Sequence, residues 1–207
     1  PKAPYEKIGY ARPVVLDRNG AWEAVLENAY DIIVTSEING EDTLSFKIPY
    51  RDGKRGYIDS EKKIQIVDDV YKVRTVTDTR DTDGSAVTEV YAEAEFYDLT
   101  FSVRKEERTF EAEYPETAMA YALEGTEWSV GTVTVRTQRT WTSTEKNALS
   151  ILRNTADLHG GDLVFDCPNR LVHLLTVNGK DSGALFAYKK NMKSIQRVVD
   201  TRELVTR

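Results

Sequence analysis

The pattern of hydrophobic and polar positions changes character about half-way along the chain. Before residue 100, short apolar or alternating runs are separated by turn-forming residues, which is typical of β-strands joined in hairpins. The predicted strands cover residues 14–16, 21–25, 32–35, 43–48, 63–67, 70–76 and 86–94. Asn19-Gly20 and Asn39-Gly40 are suited to the positive φ angles of tight hairpin turns, and Asp68-Asp69 marks a third turn. We therefore expect an antiparallel barrel or sandwich here.

Two helices are predicted in the second half. The first begins at Pro115 and ends before Gly125, which suits the position just after a helix C-terminus. The second is predicted over residues 143–158, with Thr142 as N-cap and Glu145 completing a capping box. Its predicted inward stripe consists of Ala148, Ile151, Leu152, Thr155, Ala156 and Leu158.

After the second helix the strand pattern returns. Strands are predicted at residues 163–165, 171–176 and 185–188, separated by turns at residues 167–170 and at Asn178-Gly179. The fold class is therefore mainly β, with an α+β second half. Residues 104–108 mix both charge signs, and we interpret them as a solvated domain boundary.

Composition narrows the classes of function. With 207 residues, 40% hydrophobic and 30% charged, the chain can bury a substantial core in one large or two small domains. The 28 basic and 34 acidic residues are interspersed, which argues against a nucleic-acid binder with a basic face. No apolar run approaches the roughly 18 residues of a membrane span, and the start lacks a signal-peptide pattern. We expect no membrane insertion, and synthesis in the cytoplasm.

Nucleophilic chemistry has few candidates in this sequence. Cys167 is the single cysteine, so the chain can form no internal disulfide and no cysteine-based zinc site. Cys167 and His173 are placed to face each other across a hairpin, but both belong to apolar strand segments, and we interpret them as structural. His159 is interpreted as a last-turn residue at a helix C-terminus.

Carboxylate chemistry is also poorly supported. Asp81, Asp83 and Gly84 resemble part of a calcium loop, but the pattern would place Thr79 and Val90 at ligand positions, so a solvated hairpin loop is predicted. Glu93 and Glu95 stand two residues apart, and on a strand they would share one exposed face without converging as an acid pair.

Aromatic residues are the remaining candidates for binding. Trp22, Trp128, Trp141 and eleven tyrosines are able to stack on sugars, but we interpret them as core or interface residues. The sequence therefore assigns no catalytic, cofactor-binding or metal-binding residue and predicts no cofactor.

The order of segments resembles the N-terminal region of the phage and prophage tail-associated lysin family, also described as prophage endopeptidase tail or phage minor structural proteins. The segments that carry the resemblance are residues 26–30 (LENAY), 36–46 (SEINGEDTLSF), 92–99 (AEAEFYDL), 123–131 (LEGTEWSVG), 148–165 and 189–207.

This resemblance implies two related β-barrel domains of the phage baseplate-hub type. It implies that the first barrel is discontinuous, made of residues 1–103 plus 189–207. The second, an α+β barrel-like domain over residues 104–188, would contain the helix at 143–158.

The resemblance also implies a function. Such a hub is a homotrimer at the virion tail tip or baseplate. It closes the tail tube and links the distal tail protein ring to downstream lytic or receptor-binding parts. Its expected partners are that ring, the tail tube and the tape measure protein, with phage DNA only in transit through the channel. We expect no enzyme activity from this region.

Two alternatives stay open at this point. One is a peptidoglycan-degrading tail endopeptidase or hydrolase, which requires convergent acids with separated pKa values in a cleft. The other is a carbohydrate (receptor) binding module, which requires exposed Trp and Tyr side chains lining a groove.

Overall fold

A seven-stranded antiparallel sheet dominates the first half of the chain. The structure is a computed structural model that describes residues 12–177 and 179, except residues 81, 83, 105, 145 and 146. The predicted strand at 185–188 and the segment 189–207 lie outside the described residues. The strands are β1 Val14–Leu16, β2 Trp22–Val25, β3 Tyr30–Ser36, β4 Asp42–Pro49, β5 Lys63–Ile66, β6 Asp69–Arg80 and β7 Ala86–Ala94.

All seven predicted strands of the first half are confirmed. Their order in the sheet is β2-β1-β5-β6-β7-β4-β3, so β2 and β3 are its two edges among the described strands. The sheet curls as a half-barrel. Short 3-10 helices at Arg55–Tyr57 and Glu95–Phe101 interrupt the connections.

The period-two pattern decides which side chains enter the core. Along β4, Leu44, Phe46 and Ile48 are buried, whereas Ser45 and Lys47 lie on the opposite face. Neighbouring strands bury their side chains on the same face, so one side of the sheet is apolar and the other is hydroxyl-rich and charged.

The hairpin turns differ in detail from the predictions. Only Gly20 takes a positive φ in the first predicted Asn-Gly turn, and only Asn39 does so in the second. In the third hairpin Ile66 pairs with Asp69, so the turn is Val67-Asp68 and the predicted Asp68-Asp69 turn is wrong by one residue. The reason is that Val67 adopts the left-handed conformation, with φ 57°, which closes a two-residue turn.

The second half combines two helices with two small sheets. Its elements are β8 Arg108–Glu113, α1 Pro115–Leu123, β9 Ser129–Val133, β10 Arg139–Ser143, α2 Ala148–His159, β11 Asp162–Asp166 and β12 Leu171–Leu175. Strands β8 and β10 pair antiparallel, while the other sheet has the order β11-β12-β9 with β12 and β9 parallel. The first predicted helix is confirmed, and Gly125 follows its C-cap with φ 71°.

The predicted start of the second helix is wrong. Thr142 and Ser143 belong to β10, because they pair with Thr109 and Arg108 of β8. The helix begins at Ala148, and the side chain of Asn147 caps it by accepting a 2.9 Å hydrogen bond from Ser150 N. Glu145 lies outside the described residues.

Most of the predicted inward stripe of this helix is confirmed. Ala148, Ile151, Leu152, Thr155 and Ala156 are buried. Leu158 is 40% exposed, because it lies in the last turn on the side away from the core. Its carbonyl accepts a hydrogen bond from Arg139 Nε.

Replacing the observed cap should weaken this helix more than replacing the predicted one. We expect Asn147→Ala to lower the free energy of unfolding by about 1 kcal/mol, because the N–H of Ser150 loses its acceptor. Thr142→Ala should cost at most about 0.5 kcal/mol, since Thr142 makes only an exposed contact with Thr109. Urea titration of both variants checks this, and a larger loss for Thr142→Ala would contradict it.

Candidate functional site

Cys167 and His173 do not form a nucleophile-base pair. Cys167 lies in the β11–β12 turn, whereas His173 pairs with Val164 in the ladder. The prediction that the two face each other is therefore wrong, because the turn lies beyond the paired strands. Nδ1 of His173 accepts a 2.8 Å hydrogen bond from Thr132 N. Burial raises the pKa of Cys167 to about 11, so the thiol is neutral at physiological pH.

His159 ends α2, as predicted. It is 5% exposed, and its Nδ1 lies 3.0 Å from the carbonyl oxygen of Thr137. Burial lowers the pKa of His159, so the ring is neutral at pH 7. The expected benefit of a positive charge at the helix C-terminus is therefore absent, and the ring acts as a hydrogen-bonded core residue.

The raised pKa of Cys167 predicts slow thiol chemistry. We expect a disulfide exchange reagent to react with the native protein only slowly at pH 8, with a rate that keeps rising towards pH 11. Burial favours the neutral thiol, so the folded state is stabilised relative to the unfolded chain as long as Cys167 is protonated. This stabilisation is complete below pH 9, the ordinary pKa of a thiol here, and is lost as the pH rises towards about 11. A native thiol that reacts at pH 8 as fast as the urea-unfolded chain would contradict this.

Glu93 and Glu95 do not share one exposed face. The strand ends at Ala94, and the following 3-10 helix turns Glu95 inward, where it is 8% exposed. Its two carboxylate oxygens lie 2.7 Å from Lys63 Nζ and 3.2 Å from Arg170 Nη1. Glu93 remains on the sheet face, where Arg74 Nε donates to it at 3.1 Å.

A charged cleft of about 270 Å³ lies beside Glu95. It is lined by Arg18, Glu61, Lys63, Lys72, Glu95, Asp98 and Arg170. Glu61 and Asp98 both bind the cations Lys72 and Arg74. Burial raises the pKa of Asp98, but the hydrogen bond and charge of Arg74 outweigh it and hold the pKa below its ordinary value. This is the opposite of the raised pKa that a general acid needs.

A groove of about 490 Å³ crosses the polar face of the seven-stranded sheet next to the edge strand β3. It is lined by Asp31, Ile32, Ile33, Ser45, Phe46, Lys47, Thr75, Thr77, Glu89, Val90 and Tyr91. Lys47 forms ion pairs with Asp31 and Glu89 at 3.4 and 3.5 Å. Tyr91, 38% exposed, is the accessible aromatic side chain of this lining, so the groove lacks the aromatic cluster expected of a sugar site.

The tryptophans lie elsewhere. Trp128 is buried beneath the guanidinium of Arg170, 5.3 Å from its ring centre, and Trp141 packs on Phe110. Trp22 is 65% exposed on the edge strand β2. The interpretation of the tryptophans as core or interface residues fits Trp128 and Trp141, while Trp22 is free for contact with another surface.

The segment 104–108 is not simply a solvated connection. Arg104 donates to the carbonyl oxygens of Ala122 and Glu124, and so satisfies the C-terminal end of α1. Sequence reasoning missed this contact, because the partner carbonyls follow 18 and 20 residues later.

The described residues contain no group of three or more His, Cys, Asp or Glu arranged to hold a metal ion. Of the candidate calcium loop, Gly84 has φ 86°, whereas Asp81 and Asp83 lie outside the described residues.

Within the part of the chain that the structure describes, no helix is long and apolar enough to cross a membrane.

Comparison with protein families matches both halves. The family model described as prophage endopeptidase tail N-terminal domain matches residues 13–94, and the prophage endopeptidase tail domain matches residues 102–174. The chain belongs to the prophage tail protein family. Family membership gives it a structural role in a phage tail, and the word endopeptidase is a family label only.

Solved structures of prophage tail proteins share this fold. Prophage tail protein gp18 of Listeria monocytogenes matches with a TM-score of 0.69 at 14% identity, over 88% of this chain and 56% of that one. The 43 kDa tail protein of prophage MuSo2 from Shewanella oneidensis matches with a TM-score of 0.58 at 11% identity, over 89% and 60% of the two chains. A tail protein from Neisseria meningitidis gives 0.54 at 12% identity, over 84% and 52%.

This prophage tail protein spans between half and three fifths of the length of these structures. Among curated proteins, no significant match to it was found.

Proposed function

We propose that this prophage tail protein is a structural hub of the tail tip or baseplate. In this role it closes the tail tube and links the distal tail protein ring to downstream lytic or receptor-binding parts. Three copies form the ring, and phage DNA passes through its channel. The family membership of both halves supports this proposal.

The structural observation that best supports the proposal is that both edge strands of the seven-stranded sheet carry exposed apolar side chains. Among the described strands, β2 and β3 each have one side without a neighbouring strand. Each presents a large apolar side chain to solvent, Trp22 at 65% and Ile33 at 59% exposure. The proposed barrel needs one of these edges for its own completing segment and leaves the other for a neighbouring subunit in the ring.

The proposed architecture is two related barrels. The first consists of residues 1–103 completed by residues 189–207, and the second of residues 104–188. The curled sheet of β1 to β7 is the described part of the first barrel in this proposal.

The hydrolase alternative lacks a supporting observation. In the charged cleft each carboxylate is paired with a cation, and the pKa of Asp98 is lowered. The carbohydrate-binding alternative also lacks a supporting observation, because the groove on the seven-stranded sheet has no cluster of exposed aromatic side chains in its described lining.

Light scattering after size exclusion tests the hub proposal. The chain is mixed with the distal tail protein of the same prophage locus, and a complex with three copies of this chain to six of the distal tail protein is expected. Absence of any complex, both for this chain and for its longer natural form, would overturn the proposal.

A pair of matched variants tests whether the edges are used. Ile33→Lys places a charge on the edge strand β3, which disfavours strand addition, and it should reduce the mass of the assembly. Val177→Lys makes the same change at a 71% exposed residue outside the seven-stranded sheet and should leave the mass unchanged. An equal effect of both variants would show that β3 is not part of the contact.

A further inference from the structure

Besides a shared apolar core, the two halves of the chain meet at two groups of polar and aromatic contacts. One group surrounds the covalent connection, where Phe96 stacks on Phe165 with 4.0 Å between ring centres and Glu95 binds Arg170. The other group is formed by the β3–β4 turn, residues 37–41, which contacts α2 and the start of β11. The second group lies far from the connection in sequence.

The β3–β4 turn binds the second half through backbone groups. Nδ2 of Asn39 donates to the carbonyl oxygen of Gly161 at 3.0 Å, and Oδ1 of Asn39 accepts from Leu163 N at 2.6 Å. The amide of Asn39 thus supplies the donor and the acceptor that a neighbouring strand would offer to β11. Arg153 of α2 completes the contact by donating to Gly40 O at 2.8 Å.

The turn is shaped for this contact. Asn39 adopts the left-handed conformation with φ 58°, which asparagine tolerates well and which aims its side chain at β11. Gly40 leaves little room for a larger residue, because a Cβ there would lie 2.8 Å from Cβ of Glu37, which cannot rotate away. Arg153 also lies over the ring of Tyr97, 5.7 Å from its centre, which fixes the guanidinium in place.

We propose that the β3–β4 turn is a conformational clasp that fixes the angle between the two halves. The apolar core is continuous across the halves and close-packed, but its contacts have no preferred direction. The three clasp hydrogen bonds are directional and define one orientation. With the clasp open, the second half turns about the Phe96–Phe165 contact, while each half keeps its own strands and helices.

Spin labels on the two halves test the clasp. Labels are attached at Asp68→Cys in the β5–β6 turn and Asp157→Cys on α2, both exposed, in a Cys167→Ala background diluted with unlabelled chain. With the clasp intact, electron–electron double resonance should give one narrow distance distribution. Adding Asn39→Ala and Arg153→Ala should shift and broaden it.

The matched control removes an asparagine and an arginine contact within the first half. Asn28→Ala and Arg55→Ala delete the hydrogen bonds to Asp52 and Asp78, and the distribution should stay narrow. A distribution in the clasp variant as narrow as in this control would overturn the proposal.

Hydrogen exchange gives a second readout that does not require labels. In Asn39→Ala alone, the amide of Leu163 should exchange about tenfold faster or more, because it loses its acceptor. Amides inside β6 and β7 should keep their protection. Unchanged exchange at Leu163, or equal loss of protection throughout both halves, would count against a clasp. Both tests use the single chain without tail partners, so their outcome is independent of the proposed hub.

Discussion

Replacing Gly161 by alanine should lower the free energy of unfolding by about 3 kcal/mol or more. Gly161 has φ 126°, a conformation that side-chain-bearing residues rarely adopt. A Cβ would also lie 2.8 Å from the carbonyl oxygen of Leu175 and 2.8 Å from Cγ2 of Val135. Since one of these atoms belongs to the backbone of β12, the strand itself would have to move. Urea unfolding followed by circular dichroism measures the loss.

Gly53→Ala is the matched control for this substitution. Gly53 has no positive φ, and a Cβ there would meet nothing within 4 Å. We expect its stability to change by no more than about 0.5 kcal/mol. Equal unfolding midpoints for the two variants would mean that β12 relaxes without loss of stability, against the expectation.

Glu95→Ala should also destabilise the protein strongly, by about 3 kcal/mol, because it leaves the partly buried cations Lys63 and Arg170 without their shared anion. The side chains of Lys63 and Arg170 are 21% and 33% exposed, so water replaces the lost contacts only in part. The effect should persist at high salt, since buried pairs are little screened. Measuring the free energy of unfolding at low and high salt checks both statements.

Glu89→Ala serves as the comparison, because Glu89 also pairs with a lysine but at the surface. Its side chain is 54% exposed and lies 3.5 Å from Lys47 Nζ. Such exposed pairs contribute at most about 1 kcal/mol, and salt removes most of that. If Glu95→Ala lost no more stability than Glu89→Ala, the ion pairs of Glu95 would be energetically equivalent to surface contacts.

The hairpins of the first half were predictable because their signals are local. The strands β1 to β7 are short apolar or alternating runs, and their turn residues stand beside them in sequence. The start of α2 was not predictable in this way. Thr142 and Glu145 match a capping box locally, but Thr142 pairs with Thr109 of β8, 33 residues earlier in the chain, and so belongs to a strand.

The environments of Glu95 and Asn39 were also not predictable from the neighbouring residues in the sequence. Glu95 follows an alternating strand, and only the 3-10 helix after Ala94 turns it inward towards Arg170. Asn39 is a good turn residue, but nothing nearby in sequence indicates that its side chain binds Leu163, which lies 124 residues away. The structural interpretation of Cys167 was accessible from the sequence, because an apolar surrounding predicts burial. The sequence also placed His159 in the last turn of α2, but not its burial against Thr137.

The pairing pattern has a consequence for synthesis. All strand pairings described for the seven-stranded sheet lie between Val14 and Ala94, so these pairings can form while the second half is still being translated. The parallel pair of β9 and β12 cannot form until residues 171–175 have been synthesised. Asn39 is therefore in place before its partners are made, and the paired strands β1 to β7 provide a template against which α2 and β11 pack.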